Sequence, residues 1–149
     1  MLAEVLRDQG YSAYRARLEH LLDIPTSATD FEIHTRISEG FSASRLMQLS
    51  EAGEVTPLER DQIITLRTLK TRIERHQPLS VEESDRFYRA AHITAMTEAV
   101  FGDRQKAKRW LSKPKERFLG QTPMQLLTTQ QGTRQVEEML LQIAEGLAL

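Results

Sequence analysis

The sequence WLSKPKERFLGQTPMQLLTTQQG, residues 110–132, contains the only tryptophan of the chain, two of its five prolines and two of its seven glycines. Proline interrupts a helix and glycine commonly ends one, so the stretch predicts a break between helices. Thr122-Pro123 is typical of a helix start, with threonine as the N-cap and proline at the first helical position. We therefore expect this segment to turn the chain back so that the flanking helices pack together.

Similar signals for the start of a helix recur outside this stretch. Four hydroxyl residues are each followed three positions later by glutamate or glutamine, the pattern of a capping box: Thr29, Thr56, Ser80 and Thr122. No segment shows the clear alternation of a strand. Caps and apolar periodicity predict helices near 12–23, 31–40, 43–52, 57–64, 67–76, 81–101, 104–112, 123–128 and 131–146. The expected fold is therefore an all-α helical bundle, with residues 23–30 as a linker after an N-terminal helical arm.

The composition limits the classes of protein that the chain can belong to. Its 149 residues are 40% apolar and 28% charged, with a formal charge of −1, which is ordinary for a globular protein. The absence of cysteine excludes a disulfide, a thiolate nucleophile and a cysteine-based zinc site. No signal peptide or membrane-spanning run is visible, so we expect a cytoplasmic protein that does not contact a membrane.

Positive charge is concentrated locally, and one such segment predicts DNA binding. Residues 67–75 carry four basic residues against one acidic residue. The predicted helices at 57–64 and 67–76 have the spacing of a helix-turn-helix. If Leu66, Leu69 and Ile73 face inward, the second helix presents a set of residues suited to phosphates and base edges: Arg67, Thr68, Lys70, Thr71 and Arg75. A solvated amphipathic helix remains the alternative, and the low net charge implies that DNA binding needs a dimer on two half-sites.

Catalytic chemistry is not indicated. The four histidines are scattered, without the spacing of metal ligands: His20, His34, His76 and His92. The adjacent pairs Glu82/Glu83 and Glu137/Glu138 cannot converge on one substrate, because neighbouring helical residues do not face each other. There is no glycine-rich phosphate loop. We therefore predict no catalytic residue, no metal and no cofactor, and a protein that is not an enzyme.

The C-terminal third resembles a known domain. Residues 100–146, VFGDRQKAKRWLSKPKERFLGQTPMQLLTTQQGTRQVEEMLLQIAEG, resemble the toxin-binding domain of the Xre/MbcA/ParS antitoxin family. The motif includes the residues to which we assign a structural role: Trp110, Leu111, Pro114, Gly120, Thr122, Pro123 and Gly132. We expect Trp110 to pack against the final helix, and the prolines and glycines to shape the turns between helices.

Upstream segments extend the resemblance to the Xre-type helix-turn-helix domain. They are residues 37–49, 67–69 and 79–93. The resemblance implies a DNA-binding domain over residues 30–95 and a toxin-binding domain over 96–149, with residues 1–29 as the N-terminal arm.

What the resemblance implies is a type II antitoxin. It would inhibit a RES-domain toxin that degrades NAD⁺, bind its own operator DNA, and act as a homodimer within a larger toxin–antitoxin complex. Two alternatives stay open: a stand-alone helix-turn-helix regulator whose C-terminal domain only dimerises, and an interaction scaffold without DNA binding.

Toxin contacts are expected on the last helix and the tail. Val136, Leu140 and Ile143 form its apolar face, and the remaining positions supply the candidate contacts: Gln135, Glu138, Met139, Gln142 and Glu145, followed by Leu147 and Leu149. A basic pocket built for the phosphates of NAD⁺ would attract Glu145 or a terminal carboxylate. The tail after Gly146 is therefore expected to close the active site of the toxin.

Overall fold

The computed structural model describes residues 2–146, except for the side chain of Asp8. These residues form nine α-helices and one 3-10 helix, and no strand occurs among them, which confirms the all-α prediction. The helices are α1 (Leu2–Leu22), α2 (Asp30–Glu39), α3 (Ala43–Glu51), α4 (Pro57–Ile63), α5 (Leu66–Glu74), α6 (Val81–Phe101), α7 (Arg104–Ser112), α8 (Pro123–Leu126) and α9 (Gln130–Ala144), with the 3-10 helix at Glu116–Phe118. None of the helices in this part of the chain is long and apolar enough to cross a bilayer.

The predicted caps lie where the helices begin. Thr29 and Thr122 each form a complete capping box, at the starts of α2 and α8. Ser80 and Glu83 satisfy each other's backbone N–H groups at the start of α6, with N···O distances of 2.7 and 3.1 Å. Because these side chains satisfy donors that a helix leaves unpaired, they determine where each helix begins.

Two features differ from the sequence prediction. Helix α1 begins at Leu2, about ten residues earlier than expected, and its backbone is interrupted at Arg7 (φ 61°, ψ 178°). A helix that is interrupted in this way need not carry one continuous apolar stripe, so its sequence lacks the regular apolar periodicity that indicates a helix. The 3-10 helix at Glu116–Phe118 lies in a stretch that we expected to be irregular. Short 3-10 turns leave little periodicity in a sequence, because they rarely exceed one turn.

The described chain divides into two compact units. The central unit comprises Glu19–Tyr88, and the C-terminal unit comprises the residues up to Leu18 together with those from Arg89 onward. Helices α1 and α6 therefore each contribute residues to both units.

The central unit has a core built from α2 to α6. Leu46 and Leu69 are fully buried on α3 and α5, which pack against each other. The rings of Phe41 and Phe87 meet edge to face with centroids 5.7 Å apart, a favoured aromatic geometry. Gly40 has φ 92°, and a Cβ there would lie 2.3 Å from the Leu79 carbonyl oxygen. Glycine is therefore required where α2 ends.

The segment between α1 and α2 is part of the central unit. Ile24 and Ala28 are only 3% and 8% exposed. The Arg45 guanidinium donates a hydrogen bond to the His20 carbonyl oxygen at the end of α1. Residues 23–30 thus contribute to the core of this unit.

The C-terminal unit is held together by apolar packing and by polar contacts from α1. Val136 and Leu140 of α9 are fully buried. Arg17 of α1 pairs with Glu98 of α6 at 3.0 Å, and both side chains are largely buried. Tyr14 and His92 share a 2.6 Å hydrogen bond. The part of the N-terminal arm up to Leu18 therefore belongs to this unit.

Candidate functional site

The turn between α4 and α5 is fixed at both of its ends. Helix α4 ends at Ile63, and α5 begins at Leu66 after an N-cap at Thr65. The Thr65 hydroxyl accepts a hydrogen bond from the Thr68 backbone N–H at 3.3 Å. The Arg86 guanidinium of α6 donates two hydrogen bonds to the Ile63 carbonyl oxygen, at 3.0 and 2.8 Å. This buttress holds α5 in a defined orientation within the central unit.

Helix α5 and its C-cap residue, Arg75, present three exposed basic side chains. Arg67, Lys70 and Arg75 are exposed, and in the described part of the chain no hydrogen bond or ion pair involves their charged groups. They can therefore be directed at phosphates or base edges. Thr68 and Thr71 are half-buried, and the Thr71 hydroxyl donates to the Arg67 carbonyl oxygen at 3.1 Å. The threonine hydroxyls are thus partly engaged within the helix.

The expected inward stripe of α5 needs a correction. Of Leu66, Leu69 and Ile73, only Leu69 is buried, while Ile73 is half-buried and Leu66 is 38% exposed. Burial at this corner comes instead from Ile63 and Ile64, which are 2% and 4% exposed. Ile63 and Ile64 are adjacent in the sequence at the end of α4. The prediction looked for apolar residues three or four positions apart, so it did not identify them as buried.

The fourth basic residue of this segment has a structural contact. The Arg72 guanidinium forms two hydrogen bonds of 3.2 Å with the Glu83 carboxylate, which also accepts from the Ser80 N–H at 2.7 Å. Burial raises the pKa of Glu83, but the hydrogen bonds from Arg72 and Ser80 outweigh it, so the pKa of Glu83 lies below its ordinary value. The pair joins α5 to α6, whereas the other three cations of residues 67–75 remain exposed.

A polar face on α9 collects most of the predicted toxin contacts that the structure describes. Gln135, Glu138, Gln142 and Glu145 recur at intervals of three or four residues and therefore share one side of the helix. The first two and Glu145 are exposed, and Gln142 is half-buried. We call these four residues the α9 face. Glu138 and Glu145 give this face two exposed carboxylates.

The remaining predicted toxin contacts are placed differently. Met139 is 7% exposed and lies on the buried side of α9 with Val136 and Leu140, so in this conformation it offers a partner little surface. In the helical periodicity of α9, Met139 lies between the apolar and the polar stripe. Packing between helices therefore determines whether its side chain is buried or exposed. Leu147 and Leu149 lie outside the described residues.

The corner between α8 and α9 depends on two residues. A Cβ at Gly132 would lie 2.0 Å from the Leu126 carbonyl oxygen, so only glycine fits there. The buried Arg89 guanidinium donates to the carbonyl oxygens of Leu127 and Thr128 at 3.1 and 3.4 Å. Burial lowers the pKa of Arg89. No sequence signal indicates this role for Arg89, because an arginine in a long helix usually faces solvent.

Trp110 lies closer to the surface than we expected. It is half-buried, and its ring contacts Phe101 with centroids 5.8 Å apart. The Lys115 ammonium lies 4.9 Å from the centre of the Trp110 ring, within the range of a cation–π contact. Ala107 and Leu111, on the neighbouring positions of α7, supply the buried surface of this helix instead. Because indole is large, it often remains partly exposed even where its helix packs well.

The remaining motif residues shape the chain between α7 and α9. Pro114 is exposed after the end of α7, and Gly120 has φ 88°, a conformation that favours glycine. Thr122 is the N-cap of α8, and Pro123 is buried at its first turn. Together they place α8 between α7 and α9, and both neighbours contact it.

Comparison with known proteins identifies the family of the C-terminal segment. Residues 96–146, which include α7 to α9, match the C-terminal toxin-binding domain of the Xre/MbcA/ParS antitoxins. A helical toxin-binding domain of a type II antitoxin is therefore the class that this part of the chain defines.

A full-length relative extends the assignment. The chain is 74% identical over 149 residues to a protein named antitoxin Xre from Pseudomonas putida, an alignment that covers 100% of this chain and 94% of the relative. The chain belongs to the Xre antitoxin family. This is a family of antitoxins rather than of enzymes, and its toxin-binding domain implies a toxin as partner.

Proposed function

We propose that this antitoxin inhibits a RES-domain toxin that degrades NAD⁺, by covering the active site of the toxin. The observation that carries the proposal is the pair of exposed carboxylates on the α9 face, within the segment that matches a toxin-binding domain. The groups that bind nucleotide phosphates, arginine side chains and the N-termini of helices, carry full or partial positive charge. Glu138 and Glu145 have the complementary charge, and charge complementarity favours both encounter and correct docking.

The proposed contact continues beyond α9. We include Leu147 and Leu149 in it, because they follow Gly146 (φ 79°), a residue that lies beyond the end of α9 at Ala144. Deletion of residues 146–149 is therefore expected to weaken neutralisation.

We further propose that the antitoxin represses its own promoter as a homodimer. Residues 30–95 would act as the DNA-binding domain and residues 96–149 as the toxin-binding domain, with residues 1–29 as an arm. Three exposed cations on α5 and at its C-cap support this proposal: Arg67, Lys70 and Arg75. A dimer places two such helices on successive half-sites and doubles the number of phosphate contacts.

Co-expression with the neighbouring gene tests the central part of the proposal. We expect the neighbouring product to arrest growth and deplete NAD⁺ when it is expressed alone. Full-length antitoxin should restore both growth and NAD⁺ and should co-purify with the product, and the 146–149 deletion should restore less. A chain that binds the promoter but neither rescues growth nor co-purifies would contradict the toxin assignment and favour a stand-alone regulator.

A further inference from the structure

One apolar side chain of the C-terminal unit is almost fully exposed. Leu119 is 93% exposed, more than any other large apolar residue that the structure describes. Its backbone adopts the left-handed conformation, with φ 55° and ψ 38°. Leucine is disfavoured there because its Cβ crowds the backbone, whereas glycine and asparagine are tolerated. The position thus combines an unfavourable backbone with an unfavourable exposure, and such positions cluster at binding sites.

The loop that carries Leu119 is held by its own backbone. The Lys115 N–H donates to the Gln121 carbonyl oxygen at 3.1 Å, and the Gly120 N–H donates back to the Lys115 carbonyl oxygen at 2.9 Å. The Leu119 N–H is itself bonded to the Glu116 carbonyl oxygen at 2.9 Å. Phe118, 6% exposed, anchors the loop in the core. Leu119 is therefore presented on a pre-organised turn, which lowers the entropy cost of binding.

The same loop is connected to the α9 face. The Arg117 guanidinium donates a hydrogen bond to the side-chain oxygen of Gln142, a member of that face. Exposed polar residues flank Leu119 on the loop, including Glu116, Arg117 and Gln121. An apolar anchor within a polar rim is the usual anatomy of an energetically important protein contact.

We propose that Leu119 inserts into an apolar pocket on the toxin and is an anchor of the toxin–antitoxin interface. This inference rests on the proposed function, since it requires the α9 face to contact a toxin. A single leucine buries far less than the roughly 1,200 Å² of a stable interface, so Leu119 cannot support a self-association surface by itself. As an extension of the α9 face it needs no large area of its own. The toxin is therefore the partner to which the geometry points.

Two substitutions at Leu119 separate binding from folding. Leu119→Asn removes the apolar anchor but suits the left-handed backbone, so we expect an unchanged or higher melting temperature. Its affinity for the purified product of the neighbouring gene should fall at least about tenfold. Leu119→Met keeps an apolar side chain and should bind within about threefold of wild type. The matched control is Leu58→Asn in α4 of the central unit, since Leu58 is 74% exposed, and it should leave the affinity unchanged.

Measured affinity, self-association and melting temperature together test both the anchor and the proposed function. If the wild-type chain binds the neighbouring product and Leu119→Asn binds it equally well, Leu119 is not an anchor. The proposed function is then unaffected. Loss of self-association with unchanged toxin affinity would instead assign Leu119 to a contact between copies. A lowered melting temperature in Leu119→Asn, or equal weakening by Leu58→Asn, would also overturn the anchor. A wild-type chain that does not bind the neighbouring product overturns the proposed function, and the anchor with it.

Discussion

At the residue scale, the Arg72–Glu83 pair makes the stability of the central unit depend on pH. The pKa of Glu83 is lowered in the folded state, so the carboxylate stabilises the fold above its ordinary value of 4.5. That contribution is lost as the pH falls through the folded pKa, where the carboxylate becomes protonated. The pair is mostly buried, with side-chain exposures of 29% for Arg72 and 10% for Glu83, so solvent screens it only in part.

Replacement of Glu83 tests this ion pair. We expect Glu83→Gln to lower the free energy of unfolding by about 1–3 kcal/mol at pH 7, because the charged hydrogen bonds to Arg72 are removed. The difference from wild type should shrink below pH 4.5, where wild-type Glu83 is also losing its charge. Urea unfolding across this pH range measures the effect, with the exposed Glu82→Gln as the control. A deficit in Glu83→Gln that stays constant with pH would contradict the assigned role.

At the element scale, the basic surface of α5 makes a prediction about salt dependence. Arg67→Gln with Lys70→Gln should weaken binding to the promoter fragment and make the log–log salt slope shallower by about 1.8, or about 0.9 for each phosphate that is no longer neutralised. A matched double variant, Arg36→Gln with Arg134→Gln, removes two exposed arginines outside α5 and should leave the slope near wild type. Equal slopes in all three proteins would exclude α5 as the DNA-binding element.

The elements also show what a sequence reveals about this fold. The signal for a helix start lies within a few neighbouring residues, so the starts of α2, α6 and α8 could be predicted from Thr29, Ser80 and Thr122. The residue that supports the α8–α9 corner is not local: Arg89 precedes the carbonyl groups it binds by more than 30 residues. Gly132 belonged to the recognised motif, but the reason for a glycine became visible only as the close approach of Leu126. Whether Met139 faces the core or solvent likewise depends on packing between helices.

At the scale of the whole molecule, the chain combines two surfaces that serve different partners in the proposed account. The basic surface of α5 lies in the central unit, and the α9 face with Leu119 lies in the C-terminal unit. The net charge of −1 does not indicate either surface, because opposite charges are separated along the chain. The family resemblance implied both functions, and the structure shows which of the predicted side chains are exposed.

The central claim is that the α9 face inhibits an NAD⁺-degrading toxin, and a titration of purified toxin activity tests it most directly. Wild-type antitoxin and a control with two reversed charges elsewhere, Glu39→Lys with Glu51→Lys, should stop NAD⁺ consumption at the same molar ratio. Glu138→Lys with Glu145→Lys should require at least about tenfold more protein, since repulsion replaces attraction at the cationic site. The account would be contradicted if wild-type antitoxin left NAD⁺ consumption unchanged. It would also be contradicted if the Glu138→Lys, Glu145→Lys variant inhibited the toxin as strongly as wild type does.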